Sequence, residues 1–294
     1  MSGGIGYARQ DSPPGVTGTR ALRTMAEFID ISYLKLVVAA AFLASIACGI
    51  VGTLVVVNRM VFLAGGIAHA AYGGVGISFY FGLPMFPSVL GIAAVSSGVL
   101  GFTGIRVRHR SDAIIGAIWA TGMSIGVILI NMTPGYHGDV MSYLFGSVIT
   151  ILPSDLLIIG LLDLILILWI TIFYREILAV SYDPEFATIA GIHVSTFYYS
   201  MLFFCAGTIV VLMRFVGLIL VIALLSIPPC MVEPIVPSLG RMFFVCTFLN
   251  FCFFIAGLLT SLWFNFQAGP TIILVASGTF ILAELVRRIS KNYG

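Results

Sequence analysis

Residues 36–57 read LVVAAAFLASIACGIVGTLVVV, without one charged side chain. About 20 mostly apolar residues carry an α-helix across the hydrocarbon core of a bilayer, so this stretch predicts a membrane-spanning helix. Eight further runs have the same character: 61–81, 87–105, 113–130, 156–174, 197–213, 215–232, 242–263 and 270–286. Runs 197–213 and 215–232 meet at Arg214 with a single charge between them, as one broken helix or two short ones. The expected fold class is therefore an all-α membrane protein, a polytopic bundle of about nine transmembrane helices with a range of eight to ten.

Composition points the same way. The 294-residue chain is 60% hydrophobic and 9% charged, against about 25% charged residues in a soluble domain. The net charge is only +2, and Lys and Arg fall between apolar runs rather than along a basic stripe, so nucleic acid is not an expected partner. Cys48, Cys205, Cys230, Cys246 and Cys252 occur singly with no CxxC pair, the pattern of reduced packing residues. Residues 1–35 are polar, Gly-rich and mixed in charge, and read as a flexible tail. The first apolar run is too long for a signal peptide and lacks its cleavage pattern. Residues 36–294 form one transmembrane domain, with no tandem repeat and no polar stretch long enough for a second.

The positive-inside rule sets the orientation. With nine spans, Arg59, the Arg106, Arg108 and Arg110 cluster, Arg175, Arg241, Arg287, Arg288 and Lys291 all fall on one side, which is then cytoplasmic. The N-terminus is outside, although its tail carries Arg9, Arg20, Arg23 and Lys35; Asp11, Glu27 and Asp30 nearly balance them.

The second span places Gly65, Gly66, His69, Tyr72, Gly73 and Gly76 on one broad helical face. Glycines there let another backbone approach closely. An imidazole in a span is costly in lipid and points inward, either to one interhelical hydrogen bond or to a water-filled path where it can bind a metal. His69 is the only histidine within a span, which favours a role in lining the path together with Gly65, Gly66, Tyr72 and Gly73.

Between Arg175 and Phe197 lies Asp183-Pro184-Glu185-Phe186-Ala187-Thr188-Ile189-Ala190-Gly191. Asp183 suits an N-cap, Pro184 the first helical position, Glu185 the positive end of the dipole and Gly191 a left-handed stop. These signals predict a two-turn helix on the cytoplasmic side, with Phe186, Ile189 and Ala190 as an apolar knob at i, i+3 and i+4. A knob on so short a helix docks into a partner, or else rests on its own bundle or in the lipid interface.

His137 and Asp139 lie two apart in the extracytoplasmic stretch 135–139, an imidazole and a carboxylate able to accept a metal. Other polar residues in or near the membrane are Asn131, Asp163, Arg214, Glu233, Asn250 and Glu284. Asp163 reads as a helix-pairing residue, while Arg214 and Glu284 snorkel to an interface. The chain has no GxxxxGK[ST] phosphate loop, no HExxH and no GxGD motif, so it is not expected to be an enzyme.

Several motifs together resemble the permeases of the zinc, manganese and iron ABC importers: Asn58-Arg59-Met60, His69 and Ala70, Tyr143-Leu144-Phe145-Gly146, Asp183-Pro184-Glu185-Phe186-Ala187 to Gly191, Val216-Gly217-Leu218 to Ile227-Pro228, and Ala268-Gly269-Pro270-Thr271. The resemblance covers nearly the whole chain after Lys35. It implies a type II importer permease fold in a bacterial inner membrane, no permanently bound cofactor, and a divalent metal (Zn, Mn or Fe) as cargo. It also implies a separate ABC ATPase subunit, a second permease copy, an extracytoplasmic metal-binding protein and membrane lipid as partners. By the same resemblance the helix at Asp183–Gly191 is a coupling helix, with Asp183, Glu185, Phe186, Ala187, Ile189, Ala190 and Gly191 as its contact set. Many members carry Asp four residues before the histidine; here that position is Gly65. Losing a hard oxygen ligand suits manganese less and slightly favours zinc. The alternative is a secondary transporter, which calls for charged midplane residues in two related halves, and no such repeat is present.

Overall fold

The computed structural model describes residues 31–106, 111–134, 144–146 and 151–293, and its named elements there are all helices. They are α1 (Ile31–Val57), α2 (Val61–Phe81), α3 (Met85–Arg106), α4 (Ser111–Met132), α5 (Pro153–Ile172), α6 (Tyr174–Tyr182), α7 (Pro184–Ile189), α8 (Val194–Met213), α9 (Leu218–Val232), α10 (Leu239–Phe264) and α11 (Ala268–Tyr293). Eight are long and apolar enough to cross a membrane. The ninth expected span, α9, is 15 residues long, or about 22 Å against a hydrocarbon core of about 30 Å.

The run across Arg214 resolves into two helices. Gly217 separates them with φ 86, a backbone that favours a residue without Cβ. Arg214 lies 3.6 Å from Asp155 at the start of α5, and Leu152 N donates to the Asp155 carboxylate at 3.0 Å to close that helix end. Most helices exceed the apolar windows. The first begins at Ile31, within the stretch assigned to the tail, and the last runs to Tyr293. Polar residues at a helix end keep helical backbone bonds while their side chains reach the interface, so hydropathy underestimates length. Residues 1–30 and 107–110 lie outside the described set.

α1 and α2 are the most enclosed helices; α4, α5 and α11 turn most of their residues outward. Outward residues such as Leu157, Phe244 and Leu274 are apolar, as lipid contact requires. Small residues allow the inner contacts. A Cβ at Gly73 would sit 2.9 Å from Gly122 O, and one at Gly76 would sit 2.6 Å from Gly126 O, so α2 and α4 cross with their backbones in contact. Asp163 is buried on α5, yet neither carboxylate oxygen has a hydrogen-bond partner, so the expected pairing bond is not made. Glu284 pairs with Arg287 and Arg288, each at 3.3 Å.

With the N-terminus outside, as the charge distribution predicts, eight spans plus α9 are expected to put the α9–α10 turn inside the cell and the α10–α11 turn outside. Cysteine labelling checks this. A membrane-impermeant maleimide applied to intact cells is expected to label Gln267→Cys and to spare Ile235→Cys; both native side chains are exposed, and the reverse pattern would invert the topology.

Candidate functional site

His69 lies in the middle of α2 and is half-buried. Its ring stacks on Trp119 of α4 with centroids 4.1 Å apart and planes within 6°. Trp119 is fixed in turn by Nε1, which donates to Met123 Sδ at 3.3 Å. Stacking holds the imidazole plane without using its nitrogens, and His69 Nδ1 is buried with no hydrogen-bond partner. A ring held by its face, with Nδ1 free of any protein hydrogen bond, keeps a nitrogen in reserve for a cation or water once the enclosing helices part. The single interhelical hydrogen bond that a merely structural histidine would make from Nδ1 is absent.

One turn earlier, a Cβ built on Gly65 would meet no atom within 4 Å, so the side of the helix below His69 is open. Gly66 is packed instead: its Cβ would press on Ile115 Cγ2 at 2.7 Å. Tyr72 is only 1% exposed, and its hydroxyl has no partner. Gly73 lines a groove of about 160 Å³ whose wall also includes Ala70, Ser96, Thr121 and Gly122. The predicted face of α2 is thus divided, with Gly65 at open space, Gly66 and Tyr72 in packing, and Gly73 packed on Gly122 at the edge of the groove. His137 and Asp139 lie outside the described residues. Among the described residues no three His, Cys, Asp or Glu side chains cluster as a metal site.

At α7 the local signals produce the helix they predict. Asp183 Oδ1 accepts from Phe186 N at 2.9 Å, and Pro184 occupies the first helical position. Gly191 adopts φ 82. Gly191 N donates to Thr188 O at 3.1 Å and Ile192 N to Ala187 O at 2.9 Å, the paired bonds of a Schellman stop. Ala187 is buried and seats the helix, while Phe186 (60%) and Ile189 (86%) project outward beside exposed Glu185 and Ala190. The knob does not rest on the protein's own bundle, and its exposure fits both a docking partner and the lipid interface.

Two features were not legible in the sequence. Trp119 is one, because its meeting with His69 is a tertiary contact. The other is a junction where a Cβ on Gly146 would strike Val216, one on Gly217 would strike Gly146 and Phe145, and one on Gly269 would strike Phe145 O. Three separated motifs therefore meet backbone to backbone. The shared Gly in each was the available signal, and its reason lies in the partner segment.

The known proteins agree with this architecture. The family model of the ABC 3 transport family matches residues 30–287. An uncharacterised membrane protein of Synechocystis is 39% identical over 267 residues, covering 91% of this chain and 95% of that protein. A manganese transport system membrane protein, MntC, of Halalkalibacterium halodurans is 28% identical, covering 87% of this chain and 88% of the other. The solved structure of PsaBC from Streptococcus pneumoniae in complex with Fab aligns with a TM-score of 0.78 at 25% identity, over 90% of this chain and 95% of that one. The secondary-transporter alternative falls with these matches. The expectation raised by the motifs is met: the chain belongs to the ABC 3 transport family, as a multi-pass permease of the metal ABC transporters in the bacterial cell membrane.

Proposed function

We propose that this permease passes a divalent transition metal inward along α2, by way of His69, using ATP hydrolysed on a separate subunit seated on α7. The observation that carries the reading is the stacked His69 ring, whose Nδ1 is buried and unpartnered. An extracytoplasmic metal-binding protein delivers the ion, and two copies of the permease form the membrane unit with lipid around them; family membership supports the ATPase and the binding protein. One turn before His69, a Cβ at position 65 would meet no neighbour, and Gly65 carries no ligand there.

Imidazole without carboxylate suits zinc better than manganese, and zinc is the cargo we infer. Manganese is the second reading, favoured by the name of the Halalkalibacterium relative. Uptake of labelled zinc and manganese into cells expressing the whole transporter, each competed by the other, separates them. Zinc is expected to block manganese entry at lower concentration. Manganese winning at equal concentration would reverse the choice of metal and leave the route through His69 intact.

A further inference from the structure

We infer that the hydrogen bond between Asn58 and Ser181 ties the docking helix α7 to the His69 helix α2, making Asn58 a positioning residue for transport. The inference rests on α7 being the ATPase contact. Asn58-Arg59-Met60 is one of the motifs that the account of metal and ATPase leaves without a task.

The joint between α1 and α2 is only these three residues, and it is closed tightly. Arg59 N donates to Val56 O at 2.9 Å and Met60 N to Val55 O at 2.7 Å, with Arg59 at φ 58. That is a Schellman stop built on Arg where Gly is usual. A non-glycine residue in this region costs of order 1 kcal/mol and persists only where the surroundings dictate it. Met60, buried at 1% exposure, leads directly into α2, and Ala64 N donates back to its carbonyl at 2.9 Å. The joint has no loose residue to absorb a displacement.

From it the Asn58 side chain reaches across the fold. Its Nδ2 donates to Leu54 O at 2.8 Å and to Ser181 Oγ at 3.1 Å. Ser181 sits in the last turn of α6, two positions before the Asp183 cap of α7. α6 and α7 are separated by Asp183 alone, whose N donates to Ala179 O at 2.9 Å while its carbonyl accepts from Ala187 N at 3.0 Å. Buried Ile177 and Val180 anchor α6 to the bundle. A shift imposed on α7 therefore moves Ser181, and through Asn58 it reaches the first turn of α2. His69 is eight positions further along that helix, about 12 Å at the helical rise. A bond serving stability alone would change how much transporter folds; a bond carrying motion changes how much metal moves for each ATP spent.

Ser181→Ala isolates the link, because Asn58 keeps its bond to Leu54 O and the joint keeps its backbone closure. The assay uses the purified permease–ATPase complex in proteoliposomes, supplied with the metal-binding protein, and reads zinc moved per ATP hydrolysed, alongside the yield of intact complex. The expected result is about a fivefold fall in that ratio, the scale set by one neutral hydrogen bond, at wild-type yield and near wild-type hydrolysis. Ser181→Thr, which keeps the hydroxyl, restores the ratio. Asn58→Ala, removing the donor from the other side, lowers it equally, and the double variant is no worse than either single one. An unchanged ratio in Ser181→Ala, additive losses in the double variant, or uptake that falls only in step with yield would each overturn the inference. Whether the ATPase stays bound after substitution in α7 is scored by co-purification, so failure of the docking reading registers separately.

Discussion

Replacing Phe186 and Ile189 together with Asp is expected to strip the ATPase from the permease. In the folded chain both side chains face away from the bundle, and Ala187 alone turns inward. The substitution thus leaves the seat of α7 unaltered, and its caps, Asp183 and Gly191, are untouched. Burying two such side chains in a partner contributes about 1.5–3 kcal/mol each, and two carboxylates in the same apolar groove add a desolvation penalty. Affinity should fall by about a hundredfold or more. Size-exclusion chromatography of the co-expressed complex reads the result: free permease and free ATPase in place of one peak. An intact complex hydrolysing ATP at the wild-type rate would remove α7 from the interface.

The second large effect is expected at His69. Replacing it with Ala removes the one imidazole in a span, together with its stack on Trp119. At metal sites even an outer-shell partner carries roughly tenfold to a hundredfold in affinity or activity, so a direct ligand should cost metal uptake at least about tenfold. The structural loss is smaller. An aromatic pair contributes about 0.5–1.5 kcal/mol beyond its buried area, Nδ1 gives up no hydrogen bond, and Gly65, Ala68 and Gly73 show that this helix already tolerates small residues. Transport and stability should therefore part company in this variant.

The features legible in the sequence were those that local chemistry determines. Spans such as 36–57 and 61–81 are visible because lipid demands unbroken apolar runs. α7 is visible because its cap, proline and terminal glycine each satisfy a backbone need within a few residues. α6 escaped notice: nine residues long, it shows only Ile177 and Val180 as a buried stripe, and a helix so short forms through tertiary packing rather than its own propensity. Its neighbour α8 began three residues before the apolar run, at Val194, for the reason given for helix ends generally. At the candidate site, the sequence identified His69 and the glycine face but could not sort them. Gly65 at open space and Gly66 against Ile115 differ by one position and 100° of helix, and only the placement of α4 distinguishes them. Trp119, Ser181 and the Phe145 junction with Gly146, Gly217 and Gly269 belong to long-range packing, which no local pattern encodes.

The central claim is that metal crosses the membrane past His69. Its most direct test measures ATP-driven zinc uptake by proteoliposomes holding the whole transporter, wild type and His69→Ala, with the folded yield of each determined on the same preparation. The account predicts uptake reduced by at least about tenfold at a yield close to wild type. Wild-type uptake per folded complex, with the yield reduced, would contradict it and leave His69 as a packing residue held by Trp119.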